Sequence, residues 1–345
     1  MQTALVTGGA GFFGGILKRS LLERGWTVVS VDLENDEDTQ ERLTAIRGDI
    51  RDASLLDRLF AEHRFEVVFH CAAILAHAVK DKRFLWSCNV EGTRQVMEAM
   101  RRHHLRRIVF TSSNCLWGEG MGRPVREEDV PDPVEIYGRS KWEGEKILLN
   151  ATDAIDPIII RCPTIIDIGR LGLLAILFAF IDEGRKVWVI GGGRNRYQFI
   201  CAEDLVDACV RASAHTGSGI FHIGSDNVKG FREVYEAVIA MAGSRSRVVS
   251  VPRAPTILAM KLAYALRLSP LGPYQYKMIA EDFTFETTKI KRELGWRPTL
   301  TNEEMLWKAY EHYHVHRAEI EQRTDVSAHR QPAKMGIIRL LKWLS

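Results

Sequence analysis

Short apolar runs alternate with amphipathic segments over the first 160 residues of the chain. Five of these runs read TALVT, TVVSVD, EVVFH, RRIVF and PIIIRC, and their apolar residues follow one another without regular polar alternation. Continuous apolar strands are typical of a parallel sheet that is covered on both faces. The segments between them are long enough for right-handed crossover helices. The pattern therefore predicts an α/β fold, a Rossmann-type doubly wound parallel sheet.

Beyond the fifth run the rhythm loosens, and this change predicts a second unit. We assign residues 1–163 to the dinucleotide-binding sheet, completed by parts of about 197–225, where FICAEDLVDACVRA and GIFHIGS resume the strand and helix pattern. Residues 164–196 and 226–320 are assigned to a smaller C-terminal substrate-binding lobe. Residues 321–345 are predicted to be a polar linker followed by an amphipathic tail.

The tail, MGIIRLLKWLS, allows two interpretations. Its apolar residues would line one side of a short helix, with two basic residues opposite. Such a helix suits peripheral contact with an anionic membrane surface, here the inner face of the membrane. It equally suits packing on the protein's own domain or on a twin subunit. The most apolar internal run, LGLLAILFAFI at 171–181, is too short for a membrane span.

Composition narrows the function classes. The chain has 47 basic and 44 acidic residues, a net charge of +3, and no basic block interleaved with aromatics, so we expect no nucleic-acid partner. Its six cysteines show neither CxxC nor zinc-ligand spacing, so we expect no disulfides and no metal. The chain begins with a strand rather than a signal peptide, which favours a cytoplasmic protein.

The motif TGGAGFFG lies directly after a predicted strand and before a predicted helix. In that setting the glycines make a tight turn, let the backbone approach a pyrophosphate, and let the helix pack closely on the sheet. The helix N-terminus then favours the phosphate charge. We expect Gly8, Gly11, Phe12, Phe13 and Gly14 to contact a dinucleotide.

Two carboxylates follow predicted strands. Asp32 ends the second strand, where a carboxylate accepts the ribose hydroxyls and repels a 2′-phosphate. This favours NAD over NADP, although Arg19 and Arg24 lie nearby in sequence. Asp49, in GDIRD, suits either the adenine amino group or the cap of the next helix, and the sequence leaves both open.

YGRSK places Tyr137 and Lys141 four residues apart, on one face of a helix. A free tyrosine has a pKa near 10 and is a poor base at neutral pH. A lysine ammonium one turn away, together with a positive nicotinamide ring, lowers the pKa of the phenol. Ser113, at a predicted strand end, would hold the same substrate oxygen. Asn89 would steady the ribose or a proton-relay water.

At this point the chain resembles the extended short-chain dehydrogenase/reductase superfamily, in its NAD-dependent epimerase/dehydratase family. The matching motifs are TGGAGFFG, GDIRD, HCAA, NVEGT, TSSNCLWG, YGRSK, RCP, NRYQFICAEDL and FHIGS, with KIKRELGWRPT as a C-terminal signature. The resemblance implies NAD as cofactor and adds to the residues that contact it Ile50, Ala72, Tyr137, Lys141 and Pro163. It also implies a homodimer built from the helices around 89–103 and 137–150.

The resemblance implies that Tyr137, Lys141 and Ser113 oxidise a carbinol carbon reversibly. Arg196, in NRYQF, resembles a residue that binds the diphosphate of a nucleotide-sugar; a surface arginine in a turn would look the same in sequence.

The loop after Ser113 separates the chemistries within the family. Asn114 and Cys115 stand where similar 4,6-dehydratases carry Asp and Glu, so dehydration lacks its carboxylates. A group resembling GDP-mannose 3,5-epimerase has a catalytic cysteine at the position of Cys115, and its partner base falls near Arg170. An arginine is a poor base but stabilises an enolate. A cysteine in such a loop otherwise serves packing.

These motifs favour an NAD-dependent nucleotide-sugar epimerase that works through a transient keto intermediate, an isomerase with oxidoreductase chemistry. We expect Ser113, Asn114, Arg170 and Arg196 to contact the substrate. The alternative is a dehydrogenase or reductase of a steroid-like, lipid or secondary-metabolite alcohol, similar to 3β-hydroxysteroid dehydrogenases. The apolar run at 171–181 and the tail suit that alternative.

Overall fold

A seven-stranded parallel sheet forms the centre of the computed structural model, which describes residues 2–76, 79–168, 174–266 and 278–322. The strand order is β10-β6-β5-β4-β1-β2-β3, which confirms the predicted doubly wound α/β class. The strands of the protein are β1 (Thr3–Thr7), β2 (Thr27–Asp32), β3 (Leu43–Arg47), β4 (Val67–His70), β5 (Arg107–Ser113), β6 (Asp156–Cys162), β7 (Thr164–Ile166), β8 (Lys186–Ile190), β9 (Phe199–Cys201), β10 (Gly219–His222) and β11 (Arg247–Val251).

Helices cover both faces of this sheet. On one face α1 packs with α7, and on the other lie α2, α4 and α5. The described helices are α1 (Phe12–Glu23), α2 (Ala53–Glu62), α3 (Lys82–Trp86), α4 (Gly92–Arg102), α5 (Ile136–Leu149), α6 (Leu174–Asp182), α7 (Ala202–Ser213), α8 (Phe231–Met241), α9 (Arg253–Ala265), α10 (Thr288–Glu293) and α11 (Asn302–Gln322).

The strand order reverses between β1 and β4. These two strands are paired in parallel, with Thr7 opposite His70, so their C-terminal ends emerge side by side. Crevices for ligands in doubly wound sheets form at this kind of switch point. The glycine motif follows β1 directly, and Ala72 lies just beyond β4. The chain order therefore brings the two segments together.

A second hydrophobic cluster lies beyond the C-terminal edge of the sheet. It is built from α6, α8 and α11 with two small parallel pairs, β7–β9 and β8–β11. The described part of the apolar run, residues 174–181, lies in α6, which buries Phe178, Ala179 and Ile181 in that cluster. Within the described residues, no helix combines the length and apolarity that crossing a membrane requires. Arg170 and the tail from residue 323 lie outside the described residues.

Candidate active site

The glycine motif is packed so closely that larger residues would not fit. Gly8 has a φ of 78°, and a Cβ there would lie 2.7 Å from the backbone nitrogen of Ala72. A Cβ on Gly14 would lie 2.0 Å from the carbonyl oxygen of Gly8. Gly11 is the N-cap of α1 and has no side chain to cap it. These features leave an open backbone cradle at a helix N-terminus, which fits a dinucleotide pyrophosphate.

Asp32 is held beside the cradle. Its Oδ2 accepts the backbone N–H of Ala10 at 3.0 Å, and its Oδ1 accepts that of Glu34 at 3.0 Å. Each carboxylate oxygen has a second lone pair, so the group remains able to accept ribose hydroxyls.

A charge cluster around the buried Lys18 lies near this carboxylate, and no motif in the sequence indicates it. Lys18 of α1 is 1% exposed and donates to Asp36 at 2.5 Å, with Asp38 at 2.7 Å. The hydrogen bond from Lys18 lowers the pKa of Asp38. Ser30 at the end region of β2 also donates to Asp36, at 3.2 Å. The cluster holds the loop after β2 against α1. This loop follows Asp32, the residue predicted to accept the ribose hydroxyls.

Asp49 is paired rather than capping a helix. Arg51 donates its Nε to both carboxylate oxygens at 3.0 Å, and this bonding lowers the pKa of Asp49. The cap of α2 is Asp52, which accepts the backbone N–H of Ser54 at 2.9 Å. The capping interpretation of Asp49 is therefore wrong. Ile50, the next residue, is buried. Its side chain occupies the space that a Cβ on Gly92 would need.

Asn89 lies in a single π-helical turn, Ser87–Glu91, and is 3% exposed. Its Oδ1 accepts the N–H of Ile74 at 2.7 Å, and its Nδ2 donates to Ser140 at 2.9 Å. Ser140 in turn donates to the carbonyl of Tyr137 at 2.7 Å. The structure thus places Asn89 as a link between the segment after β4 and the helix that carries Tyr137.

The ammonium of Lys141, on α5, is buried and held against β5. It is 4% exposed, donates to the carbonyl of Thr111 at 2.7 Å, and lies 4.4 Å from the ring centre of Phe110. Burial lowers the pKa of its ammonium to about 8. Tyr137 lies one turn earlier on α5 and is half-buried. The pair therefore combines a reachable phenol with a desolvated positive charge.

A close approach brings this helix to the loop after Ser113. A Cβ on Gly138 would lie 2.1 Å from the carbonyl oxygen of Cys115. Ser113 ends β5, is 8% exposed, and its Oγ accepts the N–H of Cys115 at 3.1 Å. The residue next to Tyr137 therefore has to be glycine for α5 to contact the serine loop. Pro163 is buried where β6 gives way to β7.

The same loop closes one side of a pocket shared with the second cluster. Asn114 donates to the hydroxyl of Tyr197, from the NRYQF segment, at 2.6 Å. Arg196 is exposed beside it, 3.8 Å from Asp282. The pocket has a cavity volume of about 40 Å³ and is lined by Asn114, Cys115, Trp117, Gly118, Glu119, Gly120, Val134, Glu135, Tyr197, Met278, Glu281, Asp282 and Phe283.

A buried ion pair underlies the pocket wall. Arg161 of β6 is 2% exposed and Glu145 of α5 is 0% exposed, and their closest approach is 2.7 Å. Arg161 also donates to the carbonyl of Glu127 at 3.2 Å and lies 5.2 Å from the ring centre of Trp117. Burial, and then the charge of Arg161, lower the pKa of neighbouring His222 to about 3. Arg161 thus joins the central sheet, α5 and the loops that cover them.

Comparison with known proteins identifies this architecture. The family model described as "NAD dependent epimerase/dehydratase family" matches residues 4–224. An uncharacterized protein of Sinorhizobium fredii, y4nG, is 36% identical over 345 residues, 99% of this chain and 86% of its own. The UDP-glucose 4-epimerase of Mycolicibacterium smegmatis is 29% identical and is matched over 90% of this chain and 97% of its own.

Two further proteins are similar to this chain, one in sequence and one in fold. The mouse sterol-4-alpha-carboxylate 3-dehydrogenase, decarboxylating, is 26% identical over 90% of each chain. A crystal structure of Thermotoga maritima UDP-glucose 4-epimerase with UDP-glucose superimposes with a TM-score of 0.74 at 23% identity, covering 90% of this chain and 98% of its own. This last likeness concerns the fold.

The glycine cradle, the strand order and the matched family model agree on NAD as the cofactor. The chain belongs to the NAD dependent epimerase/dehydratase family.

Proposed function

We propose that this protein is an NAD-dependent nucleotide-sugar epimerase that acts through a transient keto intermediate. The observation that carries the proposal is the loop after Ser113. Asn114 is engaged with Tyr197, and Cys115 lines the pocket, so neither position provides the carboxylates that similar dehydratases use to eliminate water. The two relatives named as UDP-glucose and sterol enzymes differ in substrate, and the former has the higher identity.

The protein's own residues would divide the proton chemistry among them. Tyr137 would accept the proton of the substrate hydroxyl, and the Lys141 ammonium would stabilise the phenolate. Ser113 would hold the substrate oxygen as it becomes a carbonyl. Bound NAD supplies the reversible hydride acceptor. Because one face of the sugar loses and the other regains hydrogen, the ketone has to turn within the pocket.

Three residues are proposed as further substrate contacts. Arg196 lies at the rim of the pocket, because it is 3.8 Å from Asp282, which lines the pocket. Its guanidinium suits a diphosphate. Arg170 is proposed as a second substrate contact from its sequence position alone. Cys115 is a candidate acid or base if the epimerised carbon is adjacent to the ketone.

A second candidate is the net oxidation of a lipid-like or steroid-like alcohol. The mouse sterol dehydrogenase, matched over 90% of both chains, favours it. In that case Tyr137, Lys141 and Ser113 keep their roles and NADH leaves after each turnover.

A substrate panel separates the two. Purified protein is incubated with UDP-, GDP- and dTDP-sugars without added NAD, and epimeric products are followed by NMR. The epimerase proposal expects a product from at least one sugar with no net NADH. Failure on every sugar, with NADH accumulating when NAD and a sterol or lipid alcohol are supplied together, would support the dehydrogenase instead.

Solvent deuterium tests the role of Cys115. Direct inversion at the oxidised carbon returns the same hydrogen, so the product in D₂O carries no deuterium. Deuterium at a neighbouring carbon, lost in Cys115→Ala, would show that the thiol moves a proton. Unlabelled product from both proteins would assign Cys115 to packing.

The Tyr137→Phe variant is expected to lose activity by at least about a hundredfold, because a positioned acid–base group commonly contributes 10²–10⁴-fold. Its affinity for NAD should fall much less than its activity, since the glycine cradle and Asp32 lie on other residues. Tyr310→Phe is the matched control, because that hydroxyl lies 3.4 Å from Asp182 in the second cluster. Equal turnover by Tyr137→Phe and the parent protein would refute the mechanism.

A further inference from the structure

Helix α9 (Arg253–Ala265) has no buried residue, although most of its side chains are apolar. Leu258, Leu262 and Leu266 follow one another at every fourth position and are 59%, 56% and 68% exposed. Ile257 and Met260, on the other side of the helix, are only half-buried. The helix therefore rests lightly on the protein with one side and presents a row of leucines on the opposite side.

This row is a concentration of exposed apolar surface. Counting Tyr264, α9 and its final turn contribute four of the eleven large apolar side chains that the described residues expose. Single exposed apolar residues are ordinary, but a contiguous set indicates a surface that another phase or molecule covers.

The chain segment that contains the row carries charge of one sign, and the carboxylate of Glu281 approaches only Arg253, at the start of α9. Residues 237–280 contain no aspartate or glutamate, although the whole chain has 44 acidic residues. The same stretch contains six basic residues, Arg245, Arg247, Arg253, Lys261, Arg267 and Lys277. An apolar row beside lysine and arginine, with no carboxylate, is the composition of helices that lie on anionic membranes.

This charge argues against the other occupants. A two-fold contact between copies of α9 would place two positively charged helices against each other, with no carboxylate on either helix to offset the charge. The end of this chain fits no better: after Asp325 its charged residues are Arg330, Lys334, Arg339 and Lys342, all basic. An anionic surface complements the charge of both segments.

We propose that α9 is a peripheral docking helix for an anionic lipid surface. Leu258, Leu262 and Leu266 enter the boundary between headgroups and acyl chains, and Lys261 contacts lipid phosphates. The helix begins at the rim of the pocket, because Arg253 lies 3.9 Å from the carboxylate of Glu281, which lines it. Docking therefore holds the pocket close to the bilayer. The proposal is independent of which alcohol or sugar the enzyme uses.

The test is flotation of the full-length protein with vesicles of phosphatidylcholine, with and without phosphatidylglycerol. We expect binding that needs phosphatidylglycerol and falls as salt rises, because exposed charges are screened. Leu258→Glu/Leu262→Glu should lower the partition coefficient at least about tenfold, since two leucine side chains lose their burial. Lys261→Glu should weaken binding to the vesicles that contain phosphatidylglycerol, and this loss should be smaller at high salt. Val130→Glu is the matched control, because Val130 is 79% exposed outside this helix.

Three results would overturn the proposal. The parent protein failing to float with anionic vesicles is one. Undiminished flotation of the double variant is another, and would assign binding to a different segment such as the tail. The third is light scattering that shows a dimer for the parent and a monomer for the double variant without lipid binding, which would make the row a contact between copies. Leu258→Ser/Leu262→Ser, with NAD affinity as a fold check, replaces the glutamate pair if that pair fails to fold.

Discussion

Lys141 carries a buried positive charge at a position where a neutral side chain would make the folded protein more stable. Burial lowers the pKa of its ammonium to about 8, while an unfolded lysine titrates near 10.4. Below about pH 8 the folded protein keeps a desolvated charge and is less stable for it. The penalty diminishes as pH rises from about 8 to 10.4, because the folded protein loses that proton first.

Lys141→Met is therefore expected to raise the free energy of unfolding at pH 7 by about 1–3 kcal/mol while removing activity. The gain should shrink in urea unfolding measured at pH 9 and 10. Lys146→Met on the same helix is the control, because Lys146 is 44% exposed beside Glu143. Destabilisation of the Lys141 variant at every pH would mean that the contacts with Thr111 and Phe110 outweigh desolvation.

At the scale of single residues the sequence was informative where spacing carries the chemistry. TGGAGFFG and YGRSK place their groups by local geometry alone, so Gly8 and Lys141 were predictable. Lys18 was not, because its partners lie in a polar loop whose path depends on tertiary packing. The capping alternative for Asp49 failed for a local reason, since Asp52 is closer to the start of α2.

Among the elements, α5 depends on how closely it can approach the serine loop. Gly138→Ala places a methyl group 2.1 Å from the Cys115 carbonyl if nothing moves, so either α5 or the loop has to shift. We expect a loss of kcat/KM of at least about tenfold, because small displacements of catalytic groups are costly. Alanine also favours the helix by up to about 1 kcal/mol, which partly conceals the strain in stability measurements.

Gly144→Ala on the same helix is the comparison. Its nearest neighbour would be the ring of Phe110 at 3.2 Å, a side chain that can move by the small amount needed. It has the same helix-propensity gain without the contact to the loop. Equal activity of the two variants would show that the approach at Gly138 is irrelevant to catalysis.

The elements themselves were well predicted up to about residue 163, because buried parallel strands leave continuous apolar runs. The lobe was harder to predict, since β7, β8, β9 and β11 form two-stranded pairs whose partners are distant in sequence. The apolar segment at 171–181 illustrates the ambiguity. Its described part, α6, packs in the protein core, and hydrophobicity alone does not distinguish that role from a lipid contact.

For the whole molecule, the pair between Arg161 and Glu145 joins parts that are remote in the chain. Arg161→Met leaves a buried carboxylate without its partner and should cost about 3–5 kcal/mol in the free energy of unfolding. Arg161→Met/Glu145→Leu removes both charges and should recover most of that loss. A double-mutant cycle in urea gives the coupling directly.

The activity of the double variant separates packing from positioning. If the pair also holds α5 and Trp117 in position, kcat of the double variant stays low although its free energy of unfolding is restored. Recovery of both quantities would limit the pair to stability. The sequence hinted at this pair only through one charge within the apolar strand PIIIRC and a glutamate two turns after Tyr137.

The edge strand β10 has a consequence for biosynthesis. It pairs with β6 in the central sheet, yet β7, β8, β9 and α7 are translated between the two strands. At about 5–20 residues per second, the ribosome needs several seconds to make that interval. During this time the nascent sheet has an open, apolar edge at β6. An unpaired strand edge is a template for pairing with other chains, so the nascent sheet is open to such pairing until β10 has been synthesised. Slow codons within residues 164–218 would lengthen this exposure.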